Sequence, residues 1–255
     1  MIKLKNKQQI KTMREGGKIL ALVLDQVIKN IKPGVTTEEL NEFAERLISD
    51  YGARPSFKGY QASWSGTPFP SALCVSVNNE VVHGLPIPSR TLYEGDIVGI
   101  DCGLEYKGLY TDMARTVGVG HISPAAKKLI KVTQECLMLG IKETLPGKFL
   151  SDIGQVISAH AESHGFSVVK QLVGHGVGFS AHEEPQIPNY FEPRSSKIKI
   201  EPGMTLAIEP MINAGDFLVE TLDDGWTIVT ADGSLSAHFE HTIAVTEKGV
   251  EIITR

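Results

Sequence analysis

Val98-Gly99-Ile100-Asp101-Cys102-Gly103 and, after Leu104 to Tyr110, Thr111-Asp112-Met113-Ala114-Arg115-Thr116 place two aspartates eleven positions apart in runs of strand character. Between them Glu105-Tyr106-Lys107-Gly108 reads as a turn, so the stretch is a hairpin. Pairing Leu104 with Leu109 across a four-residue loop sets Asp101 directly opposite Asp112 on one face. Directly opposed residues hold their Cβ atoms roughly 4.5–5.5 Å apart, and like charges at that separation destabilise the pair. A dication taking oxygen from both removes the conflict. The plain alternative is two carboxylates at a solvated hairpin end, and the rest of the chain has to choose between them.

Composition sets the frame for that choice. The 255 residues are 42% hydrophobic and 22% charged, which suits a globular domain with a sizeable core. A net charge of −5 with no long Lys/Arg run argues against nucleic acid or an anionic membrane as the main partner. Cys74, Cys102 and Cys136 are odd in number and far apart, without a C-x-x-C, so neither a disulfide framework nor a zinc-thiolate site is expected. The N-terminus lacks a signal-peptide core. The most apolar run, Ile19 to Ile28, contains Asp25 and is too short to span a bilayer. These features read as a cytoplasmic protein.

Four helices are legible. Gln9 to Ile31 carries apolar residues at spacings of three and four and stops at Pro33-Gly34. Thr36 and Glu39 form a capping box for a second helix ending at Gly52. Ser123-Pro124 starts a third, which stops before Pro146-Gly147. A fourth carries Ile153, Val156, Ile157 and Ala161 and ends near Gly165. Strand character marks Ser71 to Val82, the hairpin at 92–103 and 109–119, and the runs 167–173, 204–208, 226–230 and 238–246. Arg54 to Phe69 has no period, several prolines, and the aromatics Phe57, Tyr60, Trp64 and Phe69; such a stretch is usually functional or mobile.

The two halves repeat one another. Helix, Pro33-Gly34, helix, Gly52 and then Tyr93 to Asp101 match helix, Pro146-Gly147, helix, Gly165 and then Ile200 to Glu209. This is one duplication, not a solenoid. It sets Asp101 against Glu209, each closing an equivalent strand, and a two-fold core would bring both carboxylates to one centre. His175 within Gly174-His175-Gly176-Val177-Gly178, Glu240 opening an apolar strand, and His83 before Gly84 are further polar residues in apolar or glycine-rich surroundings. Singly, each has a structural reading. Jointly, four carboxylates and an imidazole suit divalent Mn, Fe, Co or Zn, and their charge of −4 balances two dications. Two-metal sites activate water, so hydrolysis is the natural chemistry. Other chemistries lack their signatures: His182-Glu183-Glu184-Pro185 departs from H-E-x-x-H, Gly174 to Gly178 is not G-x-G-x-x-G, and no G-x-S-x-G occurs.

The order Asp101, Asp112, His175, Glu209, Glu240, with the Gly-His-Gly-Val-Gly, His182-Glu183-Glu184-Pro185 and Ile208-Glu209-Pro210-Met211 motifs, resembles the type I methionine aminopeptidase family over nearly the whole chain. Only 31 positions separate Glu209 from Glu240, without room for the type II insertion. The resemblance implies an α/β (α+β) pita-bread fold: one catalytic domain over residues 1–255, a pseudo-two-fold duplicated unit with antiparallel sheet and flanking helices. It implies a site for two divalent ions (Co, Mn, Fe or Zn). Asp101 would bind one ion, Asp112 and Glu240 would bridge both, and His175 and Glu209 would complete the other. Water activated there would attack the first peptide bond. Glu209 would take its proton, His182 would hydrogen-bond the carbonyl oxygen or the next amide, and His83 would contact the substrate backbone and assist the leaving amine. Tyr60, Phe69, Cys74 and Trp226 match the methionine pocket.

The implied partner is the N-terminal methionine of peptides and nascent chains whose second residue is small. Transient ribosome contact and a monomeric state go with that reading; nucleic acid and membrane do not. The chain departs from the family pattern at residues 61–68, a longer loop that includes Trp64, and at Ala181, where an aromatic is common. Of the remaining histidines, His160 and His164 lie on a helix, His121 sits by a turn, and His238 and His241 flank Glu240; all read as structural, His241 with a chance of orienting a ligand. Two other readings remain. A relative that cleaves an X-Pro bond usually carries an extra N-terminal domain, for which this chain has no room. A non-catalytic binding protein on the same fold typically loses ligands, and none is missing here.

Overall fold

A computed structural model of the chain describes residues 1–62 and 64–255. The helices are α1 (Lys7–Lys29), α2 (Thr37–Asp50), α3 (Pro124–Glu143) and α4 (Leu150–Ser163). The strands are β1 (Arg54–Pro55), β2 (Leu73–Val77), β3 (Glu80–Val82), β4 (Ile97–Tyr106), β5 (Leu109–Gly118), β6 (Ser167–Val168), β7 (Gly174–Gly176) and β8 (Glu183–Ile187). There follow β9 (Thr205–Ile208), β10 (Met211–Asn213), β11 (Val219–Thr221), β12 (Ile228–Thr230), β13 (Ser236–His238), β14 (His241–Thr246) and β15 (Gly249–Ile252).

The helix starts follow their caps. Thr36 and Glu39 form the expected capping box, and the Ser123 hydroxyl accepts from the Ala126 amide with Pro124 at the first position. Helix α1 starts two residues before the expected Gln9, because Asn6 and Gln9 make a capping box of their own. It ends at Lys29 rather than Ile31.

Each helix pair lies on a sheet. In the first half, β4 pairs with β5 along one edge and with β2 and β1 along the other. Leu20, Leu24, Leu40 and Ile48 from α1 and α2 pack there against Leu73, Val75, Val98 and Ile100. In the second half, the sheet order is β15-β14-β9-β7-β8. Leu129, Cys136, Ile153 and Ile157 from α3 and α4 pack against Leu206, Ile208, Ile243 and Val245. Full burial of one such aliphatic side chain contributes about 1.5–3 kcal/mol. The two cores therefore hold the strands between them in fixed positions. Smaller sheets, β13-β10-β6 and β11-β12-β3, join them; in the second, β3 of the first half pairs with β12 of the second.

Three expectations are corrected. The hairpin turn is Lys107-Gly108, two residues at φ 53° and 79°, so Tyr106 and not Leu104 pairs with Leu109. Two left-handed residues match the twist of the flanking strands better than a longer loop does. The run 167–173 is strand only at Ser167–Val168, and β7 instead covers Gly174-His175-Gly176, which has no strand propensity. Here glycine serves close approach: a Cβ on Gly174 would stand 2.5 Å from the Ala207 carbonyl oxygen. Finally, Asp101 lies inside β4, whereas Glu209 does directly follow β9. The next residue, Pro210, has no amide to continue a ladder.

Candidate active site

Asp101 faces Ala114 across the hairpin, and Asp112 faces Gly103, so the aspartates are diagonal neighbours rather than directly opposed. Their offset is two positions, which leaves both on one face. Their carboxyls lie within hydrogen-bonding reach of each other, an arrangement favourable only with a shared proton or a cation between them. The Thr242 hydroxyl fixes the Asp112 backbone: it accepts from the Asp112 amide at 2.8 Å and donates to its carbonyl at 2.8 Å. The Glu240 amide donates to the Ala114 carbonyl at 2.9 Å, which places Glu240 beside the hairpin at the position opposite Asp101.

The second half supplies His175 and Glu209. Strand β7 pairs His175 with Ala207 of β9, two residues before Glu209. The Asn189 side chain donates to the Glu209 carbonyl at 3.0 Å. The His175 Nδ1 sits 2.9 Å from the Gly176 carbonyl oxygen, so that nitrogen carries the proton and Nε2 keeps its lone pair. This Nε2 faces Glu209 Oε1 at 3.3 Å. Two acceptors thus confront each other in a buried site. Asp101 Oδ1, Glu209 Oε1 and Glu240 Oε1 are all buried without a hydrogen-bond partner. Oxygen and nitrogen atoms of Asp112, His175 and Glu240 lie within 4.8 Å of one another.

The electrostatics agree with that picture. Burial first, and the Asp112 charge second, push Asp101, Glu209 and Glu240 well above the carboxylate range; burial brings Asp112 up to about 7. Burial holds His175 down to about 3, with the neighbouring His182 adding to it. Among the described residues lining the cavity there is no lysine or arginine, so no side chain compensates the four carboxylates. Unpaired buried acceptors, a neutral imidazole and missing cationic side chains together fit divalent metal ions.

The carboxylates lie on one wall of a cavity of about 570 Å³. All the other candidate residues line it: His83, His182, Tyr60, Phe69, Cys74 and Trp226. Phe69 meets Trp226 edge to face at 5.1 Å, and Phe57 meets Phe69 at 6.3 Å, forming an apolar wall. The His182 ring lies 4.3 Å from His175 and 4.9 Å from Tyr60. His83 adopts φ 58°, unusual for a residue other than glycine, and its Nδ1 is buried without a partner. Burial holds both His83 and His182 down to about 4. His182 is carried by a tied loop. The adjacent Glu183 carboxylate accepts from the Phe179 amide, from the Ser180 amide at 2.9 Å, and from the buried Lys5 ammonium at 2.6 Å.

Beyond the candidate residues, His238 and Trp64 are among the side chains that line the cavity. His238 Nε2 is buried, without a hydrogen-bond partner, 3.7 Å from Glu209 Oε2. It precedes Glu240 by two positions, the spacing that puts extended residues on one face, and this was the signal available. Trp64, from the long loop, stacks on His83 at 5.8 Å and 22° and meets Trp226 at 4.9 Å. Ser63 of that loop lies outside the described residues. Ala181 is buried and is not among the lining residues. His241 bonds Thr254 Oγ1 at 2.9 Å and does not line the cavity.

Residues 11–247 match the model of metallopeptidase family M24. The chain is 50% identical to methionine aminopeptidase 1 of Bacillus subtilis over 255 residues, covering 100% of both chains. Its structure is similar to that of methionine aminopeptidase from Thermotoga maritima, with a TM-score of 0.94, 46% identity and 100% of both chains covered. It shares its fold with an Xaa-Pro dipeptidase from Bacillus anthracis at a TM-score of 0.78 and 24% identity, covering 99% of this chain and 62% of that one.

Proposed function

The chain belongs to metallopeptidase family M24 and has its pita-bread fold; from that premise we propose that it removes the N-terminal methionine from peptides and nascent chains whose second residue is small. The observation that carries the reading is the wall of unpaired acceptors, with His175 Nε2 facing Glu209 Oε1 at 3.3 Å, beside an apolar pocket. We read residues 1–255 as one catalytic domain acting as a cytoplasmic monomer, with transient ribosome contact. Among the described residues no helix is long and apolar enough to cross a membrane.

Asp101, Asp112, His175, Glu209 and Glu240 would hold two divalent ions of the Co, Mn, Fe or Zn class. When bound, such ions supply Lewis acidity and a water that ionises near neutral pH. The protein's own groups do the rest. Glu209, whose Oε1 has no hydrogen-bond partner, takes the proton from the attacking water. His182 donates a hydrogen bond to the developing oxyanion or the following amide. His83 holds the substrate backbone and assists the departing amine. Tyr60, Phe69, Cys74 and Trp226 enclose an unbranched thioether side chain and exclude water from the scissile bond. The Xaa-Pro reading has the fold in its favour but lacks the full-length likeness.

The test strips metal from the protein, restores Mn, Co or Fe, and offers Met-Ala-Ser and Ala-Pro. Release of methionine that depends on added metal is expected. Proline from Ala-Pro with Met-Ala-Ser untouched would overturn the reading. Asp112→Asn should lose bound metal and turnover together, and full activity in that variant would refute the role given to Asp112.

A further inference from the structure

A second cluster of ligand-type side chains lies outside the active-site cavity. Helices α3 and α4 pack side by side, close enough at Gly140 that a Cβ there would press on Ile157. Glu135 of α3 meets His160 and His164 of α4 and its C-cap, and none of the three lines the cavity. His160 Nε2 is 3.0 Å from Glu135 Oε2, and the two imidazole rings are 4.5 Å apart. One ligand atom from each of the three residues falls within 4.8 Å of the others. Metal bonds of roughly 2.0–2.2 Å set donor atoms about 3–4 Å apart, which small side-chain rotations reach from this arrangement.

Three features make the cluster more than an ion pair. First, His160 and His164 are one helical turn apart, so both rings project from one face toward Glu135. Second, His164 Nδ1 lies 2.8 Å from the His160 carbonyl, which can only accept, so Nε2 keeps its lone pair for a ligand. The site also stands at the C-terminal end of α4, where the helix dipole favours a cation. Third, the fold does not require these side chains. Laying Pro33-Gly34 on Pro146-Gly147 and Gly52 on Gly165 puts Leu22, Leu47 and Tyr51 of the first half at the positions of Glu135, His160 and His164. There Leu47 packs on the first-half core while Leu22 and Tyr51 are exposed, so the matching helix pair holds together without a carboxylate or imidazole at any of the three positions. The only nearby competitor for the Glu135 carboxylate among the described residues is Lys131, an exposed side chain at 3.7 Å that is free to turn away.

We propose that Glu135, His160 and His164 form a binding site for a borderline divalent cation of the zinc, nickel or copper(II) class, separate from the active centre, that staples α3 to α4. Three protein ligands leave the remaining positions to water, and two imidazoles with one carboxylate select against magnesium and calcium. An ion bound only by the folded chain raises its melting temperature.

The test loads the protein with Mn and then adds zinc alone, counting bound zinc by equilibrium dialysis in the wild type and in H160Q/H164Q. The double variant is expected to bind one zinc equivalent fewer while turnover of the Mn-loaded enzyme is unchanged. With copper(II) as the probe, the wild type should show hyperfine coupling to two imidazole nitrogens that H164Q reduces to one. E135Q should weaken binding about tenfold or more. Equal zinc in wild type and variant would overturn the proposal. So would a loss of zinc that carries activity with it, because the ion would then belong to the active centre. H164Q alone serves if the double variant folds poorly.

Discussion

Trp64 is half exposed, yet it touches both His83 and Trp226. Its position over the cavity follows from hydrogen bonds near both loop ends: the Trp226 indole donates to the Thr67 carbonyl at 3.0 Å, and the Phe69 amide donates to the Tyr60 carbonyl at 2.8 Å. An aromatic contact of this kind is worth about 0.5–1.5 kcal/mol beyond burial, so Trp64→Ala should lower kcat/KM on Met-Ala-Ser by about three- to tenfold. Removing the ring also opens the space over His83, so larger second residues should gain relative to alanine. Steady-state kinetics on a Met-X-Ser series checks both, and an unchanged profile would remove Trp64 from the pocket. This residue shows where reading a chain stops. The long aromatic loop is visible in sequence, but which of its rings enters the cavity depends on contacts with Trp226, more than 150 positions away.

Among elements, the N-terminal segment with Lys5 and the β11–β12 hairpin with its flanks carry separate expectations. Lys5 and Glu183 are nearly inaccessible, at 2% and 6% side-chain exposure, and their pair anchors the loop bearing His182. Breaking a buried pair by deleting one partner leaves a charge uncompensated and costs about 3–5 kcal/mol. Lys5→Met should therefore lower stability by about that amount in urea denaturation, and lower kcat more than metal content. A variant as stable as the wild type would show that the N-terminal segment is dispensable. At the base of that hairpin, Asp232 accepts from the Asp216 amide at 2.7 Å and from the Ser234 amide at 3.0 Å. The Asp216 amide foremost, then the Ser234 hydroxyl and amide, hold its carboxyl at about 2. A carboxyl depressed in the folded state adds stability that is complete above its unfolded value near 4 and disappears as the pH falls toward about 2. Asp232→Asn should therefore flatten the loss of stability between about pH 4 and 2, read from denaturation midpoints. The same steepness in both proteins would assign that loss to other carboxyls. The hairpin teaches a related lesson. Its face was legible although its register was not, because a four-residue and a two-residue turn around the same strands differ by a slip of two and preserve side-chain parity.

At the scale of the molecule, two helix-backed sheets press four carboxylates into one buried wall, with no lysine or arginine among the described lining residues to offset them. Their mutual repulsion is a strain on the folded chain that divalent ions relieve. Removing metal with a chelator should lower the melting temperature by several degrees, and restoring Mn should recover it; an identical melting curve in both states would deny that ions bind there. The duplication, the carboxylates and the imidazole at the ends of apolar or glycine-rich runs, and the helix caps were determined by the sequence alone, because each is a local pattern: a capping residue, a period, a charge where an apolar residue would be expected. Only the tertiary structure decided the rest. It chose the two-residue turn at Lys107-Gly108, made Gly174 to Gly176 a strand through close approach to β9, and set the side chains of His238 and Trp64 against Glu209 and His83. Those outcomes depend on backbone approach and packing between segments far apart in the chain, and no local pattern encodes them.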